Sequence, residues 1–232
     1  MRHTRGGTFA SMGTDEDMTM SDTGYGDFEF ERRFLVREVP DHVLAEPDPV
    51  LIVQSYFLAA DGYAMRLRVQ ASSVLLAMDG TEDPLDVLDR FAAQFDFCAL
   101  TVKGPQVGGT RYEAERQIDV HMGVEMIRRG GARIVKNRYA TWIGADGWVI
   151  DVFGGANHPL VVAECERGGP VTDLSIPDFA ITEITDDWRF ANESLSQRPF
   201  GPWAAAYDAE LAQAGPRFLQ GFGENTLGRD GL

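Results

Sequence analysis

Long apolar runs and basic residues are both scarce in this chain of 232 residues. No apolar stretch reaches the ~18 residues of a membrane-spanning helix, and the N-terminus lacks the apolar segment of a signal peptide. Lys and Arg number 21 against 36 Asp and Glu, which gives a net charge of −15. This charge argues against nucleic acid or an anionic membrane as a partner, and we expect a cytoplasmic protein.

Cysteine and histidine are also rare. The two cysteines, Cys98 and Cys165, both fall inside predicted strands, so we expect buried free thiols in a reducing compartment. The four histidines are scattered, and no two have the spacing of metal ligands. The glycine-rich stretch 104–109 is not followed by Gly-Lys-Ser/Thr, so it predicts a hairpin loop rather than a phosphate-binding loop.

Strand-like segments dominate residues 27–167. Alternating patterns and turn residues predict strands at 28–36, 50–58, 62–70, 97–103, 110–118, 132–141, 147–154 and 159–167. Sequential strands with short connections favour an antiparallel sheet, and eight is a natural number for closure. The predicted fold class is therefore α+β but mainly β, an eight-stranded antiparallel closed barrel with peripheral helices.

The remaining segments predict helices and the limits of the domain. Capping residues and apolar spacing predict helices at about 84–94, 120–129, 186–198 and 202–214. Residues 1–26, which are polar and aperiodic, predict a disordered leader. We expect one domain over 27–198, with a C-terminal helix and tail over 199–232 packed on it.

Like-charged residues recur two positions apart in five of the predicted strands. The pairs are Glu29/Glu31, Arg66/Arg68, Glu113/Glu115, Lys136/Arg138 and Glu164/Glu166. Residues i and i+2 of a strand share a face, and the positions between them are mostly apolar. One such pair is usually solvated surface, but five pairs of both signs predict a sheet curled around a charged interior.

Acids and bases are equally numerous on the predicted interior face. The acids are Glu29, Glu31, Glu113, Glu115, Asp151, Glu164 and Glu166, and the bases are Arg33, Arg66, Arg68, Lys103, Arg111, Lys136 and Arg138. Carboxylates without His or Cys suit the hard cations Mg²⁺ or Mn²⁺, whereas Arg and Lys suit phosphate oxygens. A tripolyphosphate with two divalent cations would satisfy both sets.

Nine blocks of the sequence resemble the CYTH domain of the triphosphate tunnel metalloenzymes, and they occur in the family's order across about residues 27–198. Residues 28–36 (FEFERRFLV) resemble its ExExK signature. The other blocks are QSY at 54–56, RLR at 66–68, LTVK at 100–103, RYEAE at 111–115, KNRY at 136–139, DVF at 151–153, ECE at 164–166 and EITDDWRFAN at 183–192.

The resemblance implies a role for each matched residue. Glu29, Glu31, Glu164 and Glu166 would bind Mg²⁺ or Mn²⁺, two per site, with Glu113, Glu115 and Asp151 nearby. The phosphate ligands would be Arg66, Arg68, Lys103, Lys136 and Arg138, with Arg111 and Arg189 as additions. Tyr56 occupies the position proposed as proton acceptor in short bacterial members, and Glu29, Glu31 and Arg33 would complete the catalytic set.

Two residues depart from the family pattern. Arg33 replaces the lysine of ExExK, which keeps the positive charge but cannot deprotonate at physiological pH. Phe190 stands where many members carry tyrosine, so a hydroxyl is missing there. A role of position 33 that needs only charge survives this change, whereas proton transfer does not.

The resemblance implies an enzyme that hydrolyses a small-molecule triphosphate, most simply inorganic tripolyphosphate to pyrophosphate and phosphate. The same fold in the family also hosts a class IV adenylate cyclase and a thiamine triphosphatase. Both would use the same phosphate and metal groups. A further alternative is a non-catalytic triphosphate- or polyphosphate-binding protein in which Arg33 has reduced turnover.

Overall fold

The computed structural model describes residues 27–45 and 48–228, so the predicted leader lies outside the described residues. The strands are β1 Phe28–Val36, β2 Val50–Ala60, β3 Tyr63–Ser72, β4 Phe97–Lys103, β5 Thr110–Gln117, β6 Ala132–Ile143, β7 Asp146–Phe153, β8 Val161–Arg167, β9 Ser175–Ile176, β10 Thr182–Glu183 and β11 Thr226–Leu227. The α-helices are α1 Asp41–Leu44, α2 Pro84–Arg90, α3 Val120–Arg129, α4 Asn192–Gln197 and α5 Ala204–Ala214. No helix in the described ranges is long and apolar enough to span a bilayer.

Eight strands close into a barrel, as predicted. Their order is β1-β5-β4-β3-β2-β6-β7-β8, and every neighbouring pair is antiparallel. Closure comes from β8 pairing with β1 in a register that runs from Phe30↔Arg167 to Val36↔Val161. The short strand β10 pairs with the other edge of β1, with Phe34 opposite Glu183.

Apolar side chains of the barrel strands face outward, where helices and loops cover the outer surface and bury them. Val69 of β3 and Cys98 of β4 pack with Leu88 of α2 and Val124 of α3, and all four are buried. On the other side, Trp148 and Cys165 belong to a second buried cluster. Both cysteines are free and buried, which confirms that prediction. With the apolar positions covered on the outside, the alternate charged positions face the interior.

A cap built from residues 187–214 closes one end of the barrel. Phe190 and Leu195 are fully buried among inward-facing side chains such as Ile134 and Phe153. Tyr207 of α5 packs edge-on against Phe190, with ring centroids 4.8 Å apart. The interior is therefore apolar at the capped end and charged toward the opposite mouth.

The helix predicted over 186–198 is wrong in its extent. The segment forms a 3-10 turn at Trp188–Phe190 and then the short helix α4. Ala191 between them is extended, with φ −65° and ψ 135°, so the two turns cannot join. Similarly, α2 ends at Arg90, earlier than predicted, while α3 is capped by Asp119 as expected.

Candidate active site

A cavity of about 450 Å³ occupies the charged part of the barrel, and most of the predicted site residues line it. Glu115 and Glu166 are exposed at its mouth, whereas Glu31, Arg33 and Tyr56 are buried at depth. The predicted residues that line it are Glu29, Glu31, Arg33, Tyr56, Arg66, Arg68, Lys103, Arg111, Glu113, Glu115, Arg138, Glu164 and Glu166. Their convergence follows from the strand register, which places alternate residues of seven strands on the inner face.

The β3–β4–β5 wall of the cavity combines bases with acids. Lys103 Nζ lies 2.6 Å from Glu113 and 2.8 Å from Glu29. Arg66 lies 3.7 Å from Glu113 and 3.4 Å from Glu115, and Arg68 lies 3.1 Å from Glu115. These contacts reduce the cost of holding several charges inside the barrel.

Asp151 lies behind the opposite wall, and its carboxylate forms ion pairs with two bases. Its carboxylate accepts hydrogen bonds from Arg138 at 2.7 Å and from Lys136 Nζ at 2.5 Å. Although burial opposes ionisation, Arg138 and Lys136 hold the pKa of Asp151 well below its usual range. Asp151 and Lys136 do not line the cavity; Asp151 contacts Arg138, which does, and Lys136 contacts Asp151.

The carboxylates along the seam between β1 and β8 have fewer cationic neighbours. Glu31 lies directly opposite Glu166, and Arg33 lies opposite Glu164. Burial, followed by the nearby charges of Glu29 and Glu164, raises the pKa of Glu31 to about 8. Burial and then Glu29 also raise the pKa of Glu166. Burial and neighbouring carboxylates therefore disfavour the ionisation of Glu31 and Glu166.

These seam carboxylates fit Mg²⁺ or Mn²⁺ in donor type and in charge. Carboxylate oxygens are the ligands that such hard cations prefer, and a cation would offset the burial and the repulsion that raise the pKa values. Across the described ranges, no three His, Cys, Asp or Glu side chains already form a metal-binding cluster. Four acids reach bases within 3 Å, namely Glu29, Glu113, Asp151 and Glu164, which explains why their oxygens do not converge.

Three guanidinium groups on the cavity wall have unused hydrogen-bonding capacity. The Nε atoms of Arg33, Arg66 and Arg68 are buried and donate no hydrogen bond. Burial, together with the like charge of Arg66, lowers the pKa of Arg68. Buried unpaired donors are costly, so an anion with several oxygens would stabilise this arrangement.

Tyr56 lies in the cavity, but its environment does not favour a base. Burial raises the pKa of the phenol to about 12, although Arg66 opposes the shift. Its hydroxyl accepts a hydrogen bond from Gln54 at 3.3 Å. A phenol with this pKa is protonated at neutral pH and can donate a hydrogen bond to a phosphate oxygen.

Arg189 lies outside the cavity, which corrects its predicted place among the phosphate ligands. It forms ion pairs with Asp187 at 2.6 Å and with Glu210 at 2.8 Å on the outer side of the cap. Its guanidinium also stacks over Trp203 and Tyr207. Arg189 therefore fastens α5 to the preceding turn and does not face the barrel interior.

Two residues of the cap that were not predicted to be functional also line the cavity. Asn192 lies within 3.4 Å of both Gln54 and Lys136, and Glu193 forms a 3.1 Å ion pair with Arg111. In the sequence, Glu193 is indistinguishable from an ordinary acid in the first turn of a helix. Its role depends on how the cap folds back into the barrel, which strand patterns do not reveal.

This chain is similar to known proteins in sequence and in structure. No family model matches the chain. An inorganic triphosphatase of Acetivibrio thermocellus is 34% identical over 103 residues, which is 44% of this chain and 66% of that protein. The chain thus matches slightly less than two thirds of the relative's length. This relative confirms the resemblance predicted from the sequence blocks.

Solved structures of similar proteins include two with triphosphatase activity in their descriptions. The crystal structure of an inorganic triphosphatase is 27% identical, with a TM-score of 0.43, and the match covers 72% of this chain and 93% of that one. An adenylyl cyclase-like protein of Hippeastrum, described as having a dominant triphosphatase activity, is 17% identical with a TM-score of 0.36 over 60% of this chain and 79% of that one. Both TM-scores lie below 0.5, so support for the closed barrel comes from this chain's own strand register.

Proposed function

We propose that this chain is a triphosphate tunnel metalloenzyme that hydrolyses a triphosphate, most simply inorganic tripolyphosphate to pyrophosphate and orthophosphate. The proposal rests on one observation: the barrel holds a set of guanidinium groups with unused donors facing a set of carboxylates with raised pKa values. The buried Nε atoms of Arg33, Arg66 and Arg68 make no hydrogen bond, and the facing carboxylates Glu31 and Glu166 have raised pKa values. A metal–triphosphate complex supplies the anionic oxygens that the first set needs and the cations that the second set needs.

The binding roles divide between the two walls of the cavity. Arg66, Arg68 and Lys103 would bind phosphate oxygens from one side, and Arg138, positioned by Asp151, from the other. Glu29, Glu31, Glu164 and Glu166 would hold Mg²⁺ or Mn²⁺. The bound cation would neutralise phosphate charge and activate water for attack.

Phosphoryl transfer requires alignment and charge neutralisation more than a covalent protein intermediate. A water oxygen would form the new bond to phosphorus as the bond to the bridging oxygen breaks, which leaves pyrophosphate and orthophosphate. Tyr56 would orient a phosphate oxygen as a hydrogen-bond donor, since its raised pKa makes it a poor proton acceptor. Arg33 would contribute charge at the deep end of the cavity without transferring a proton.

The buried free thiols Cys98 and Cys165 support a reducing compartment, so we place this activity in the cytoplasm.

Phosphate release from three substrates tests the proposed function. Tripolyphosphate, ATP and thiamine triphosphate would each be incubated with Mg²⁺ or Mn²⁺, and in parallel with a chelator. We expect chelator-sensitive release that is fastest from tripolyphosphate. Cyclic AMP formation from ATP without phosphate release, or no turnover of any substrate, would contradict the proposal.

A further inference from the structure

A second cavity, of about 590 Å³, lies on the far side of the active-site floor. We call it the outer chamber. It is enclosed by the β2–β3 turn at Asp61, the loop after β4 at Gln106, and the cap at Trp188. Among the described residues, Arg33 and Glu193 are the two that line both the outer chamber and the active-site cavity. These two residues therefore form the partition between the cavities.

Arg33 is fixed in the partition by main-chain contacts. One terminal nitrogen donates to the Phe190 carbonyl at 3.1 Å, and the other donates to the Thr185 carbonyl at 3.0 Å and to Gln106 at 3.2 Å. Its Nε is buried and has no hydrogen-bond partner. The side chain is thus held in place, and its Nε lies 3.4 Å from Glu31 at the floor of the active-site cavity.

Glu193 is held in the partition by Arg111. The Arg111 guanidinium donates to Glu193 at 3.1 Å, to the Gly104 carbonyl at 3.1 Å and to the Gly62 carbonyl at 3.4 Å. All three guanidinium nitrogens are occupied, so Arg111 acts as a brace between two loops and the cap. This arrangement keeps the Glu193 carboxylate at the end of the active-site cavity.

The two sides of the partition differ in the number of bases that they offer to a polyphosphate. The active-site side offers several bases beside its glutamates, among them Arg66 and Lys103. The outer chamber is lined by Asp61, Asp186 and Glu193, with Arg33 as its one base among the described residues. A polyphosphate that advanced past the partition would leave the bases and enter a region of negative charge.

We propose that the Arg33–Glu193 partition is a stop that sets where a polyphosphate chain is cut. The terminal phosphate docks on the Arg33 guanidinium, and Glu193 prevents further entry by its volume and charge. Every chain therefore binds end-on, and the broken anhydride lies at one fixed distance from the docked end. Glu193 is a specificity-determining residue in this scheme, which rests on the proposed triphosphatase function.

Tetrapolyphosphate tests the stop because it can be cut in two distinguishable ways. A cut next to an end gives orthophosphate and tripolyphosphate, whereas a cut at the centre gives two pyrophosphates. From initial rates, before products are cut again, we expect the unsubstituted protein to form one of these product pairs. In Glu193→Ala, the chain can advance, and we expect the minor pair to rise about tenfold, equivalent to about 1.4 kcal/mol.

Two further variants make the result specific. Glu193→Gln keeps the volume and the contact with Arg111 but removes the charge, so we expect a smaller rise in the minor pair. It also tests the stop if the alanine variant is unstable. Glu210→Ala breaks an ion pair of the same cap outside both cavities and should leave the product pair unchanged.

The proposal is overturned if the unsubstituted protein forms both pairs at similar initial rates, or if neither Glu193 variant changes their ratio. Failure of the proposed function gives a different result, namely no release from tripolyphosphate. The stop is then tested by calorimetric titration of the protein with tripolyphosphate and with tetrapolyphosphate, each in the presence of Mg²⁺. Glu193→Ala should gain affinity for tetrapolyphosphate relative to tripolyphosphate, and an unchanged ratio of affinities overturns the stop.

Discussion

Glutamates with the same sequence pattern acquire different properties inside this barrel. Glu113 and Glu31 each belong to a same-face pair on a strand. Burial opposes the ionisation of Glu113, but a hydrogen bond with Glu29 and then Lys103, which lies 2.6 Å away, lower its pKa. Glu31 has Arg33 at 3.4 Å and two acidic neighbours, and its pKa is raised. The difference arises from the deeper burial of Glu31 and from the cross-strand contact of Glu113 with Lys103, neither of which the pattern within one strand contains.

Glu31→Gln should abolish metal-dependent turnover and leave the fold intact. The amide keeps the shape of the side chain but removes the charge that a cation requires, so we expect phosphate release to fall by about a hundredfold or more. Circular dichroism would report the fold. Glu38→Gln, the same change at an exposed position just after β1, is the control and should keep full activity. Undiminished turnover in Glu31→Gln would refute the assigned role.

The stability of Glu31→Gln should also depend on pH. A carboxyl whose pKa is higher in the folded chain than in the unfolded chain destabilises the fold as pH rises from about 4.5 to about 8. Without metal, the variant should therefore equal the parent in melting temperature near pH 4.5 and exceed it increasingly up to pH 8. Thermal scans in a chelator measure this difference. A constant difference across the pH range would show that Glu31 is not responsible.

Helix α3 depends on a close approach to the sheet at Gly123. A Cβ atom at this position would overlap the Sγ atom of Cys98 on β4. Gly123→Ala should therefore destabilise the protein by about 1–3 kcal/mol through overpacking, although alanine favours helices. Urea unfolding measures the change.

A paired substitution makes the Gly123 prediction specific. Cys98→Ala removes the sulfur, so adding it to Gly123→Ala should recover much of the lost free energy of unfolding. If the two changes were simply additive, the contact with Cys98 would not be the cause.

Sequence patterns predicted the strands well and the cap poorly. Alternation and turn residues located all eight barrel strands to within a few residues, because each strand is one continuous segment with its own period. The cap instead consists of two 3-10 turns and two helices whose positions depend on distant partners. Arg189 illustrates this, because its position is fixed partly by Glu210, and a family block alone suggested that it faced the phosphate.

At the scale of the whole molecule, binding of metal and triphosphate should stabilise the fold. The chain carries a net charge of −15 and concentrates carboxylates along one seam of the barrel. Ligand at about 100 times its dissociation constant contributes about 2.7 kcal/mol, which is roughly 5–10 °C in melting temperature for a protein of this size. Thermal scans with tripolyphosphate and Mg²⁺, with each alone, and with chelator measure the effect. A full shift with tripolyphosphate in chelator would contradict the role of the cation.

Closure of the barrel by β1 and β8 also determines when the chain can fold during synthesis. Phe30 pairs with Arg167, so the barrel cannot close until β8, its last strand, has been synthesised. Until then, a nascent chain holds an open sheet whose edges, β1 and β7, expose unpaired main-chain groups that favour association with other chains. Such distant pairing slows folding, because the entropy of loop closure is lost before the stabilising contacts form. A ribosome stalled before residue 161 would therefore release an aggregation-prone sheet in need of a chaperone.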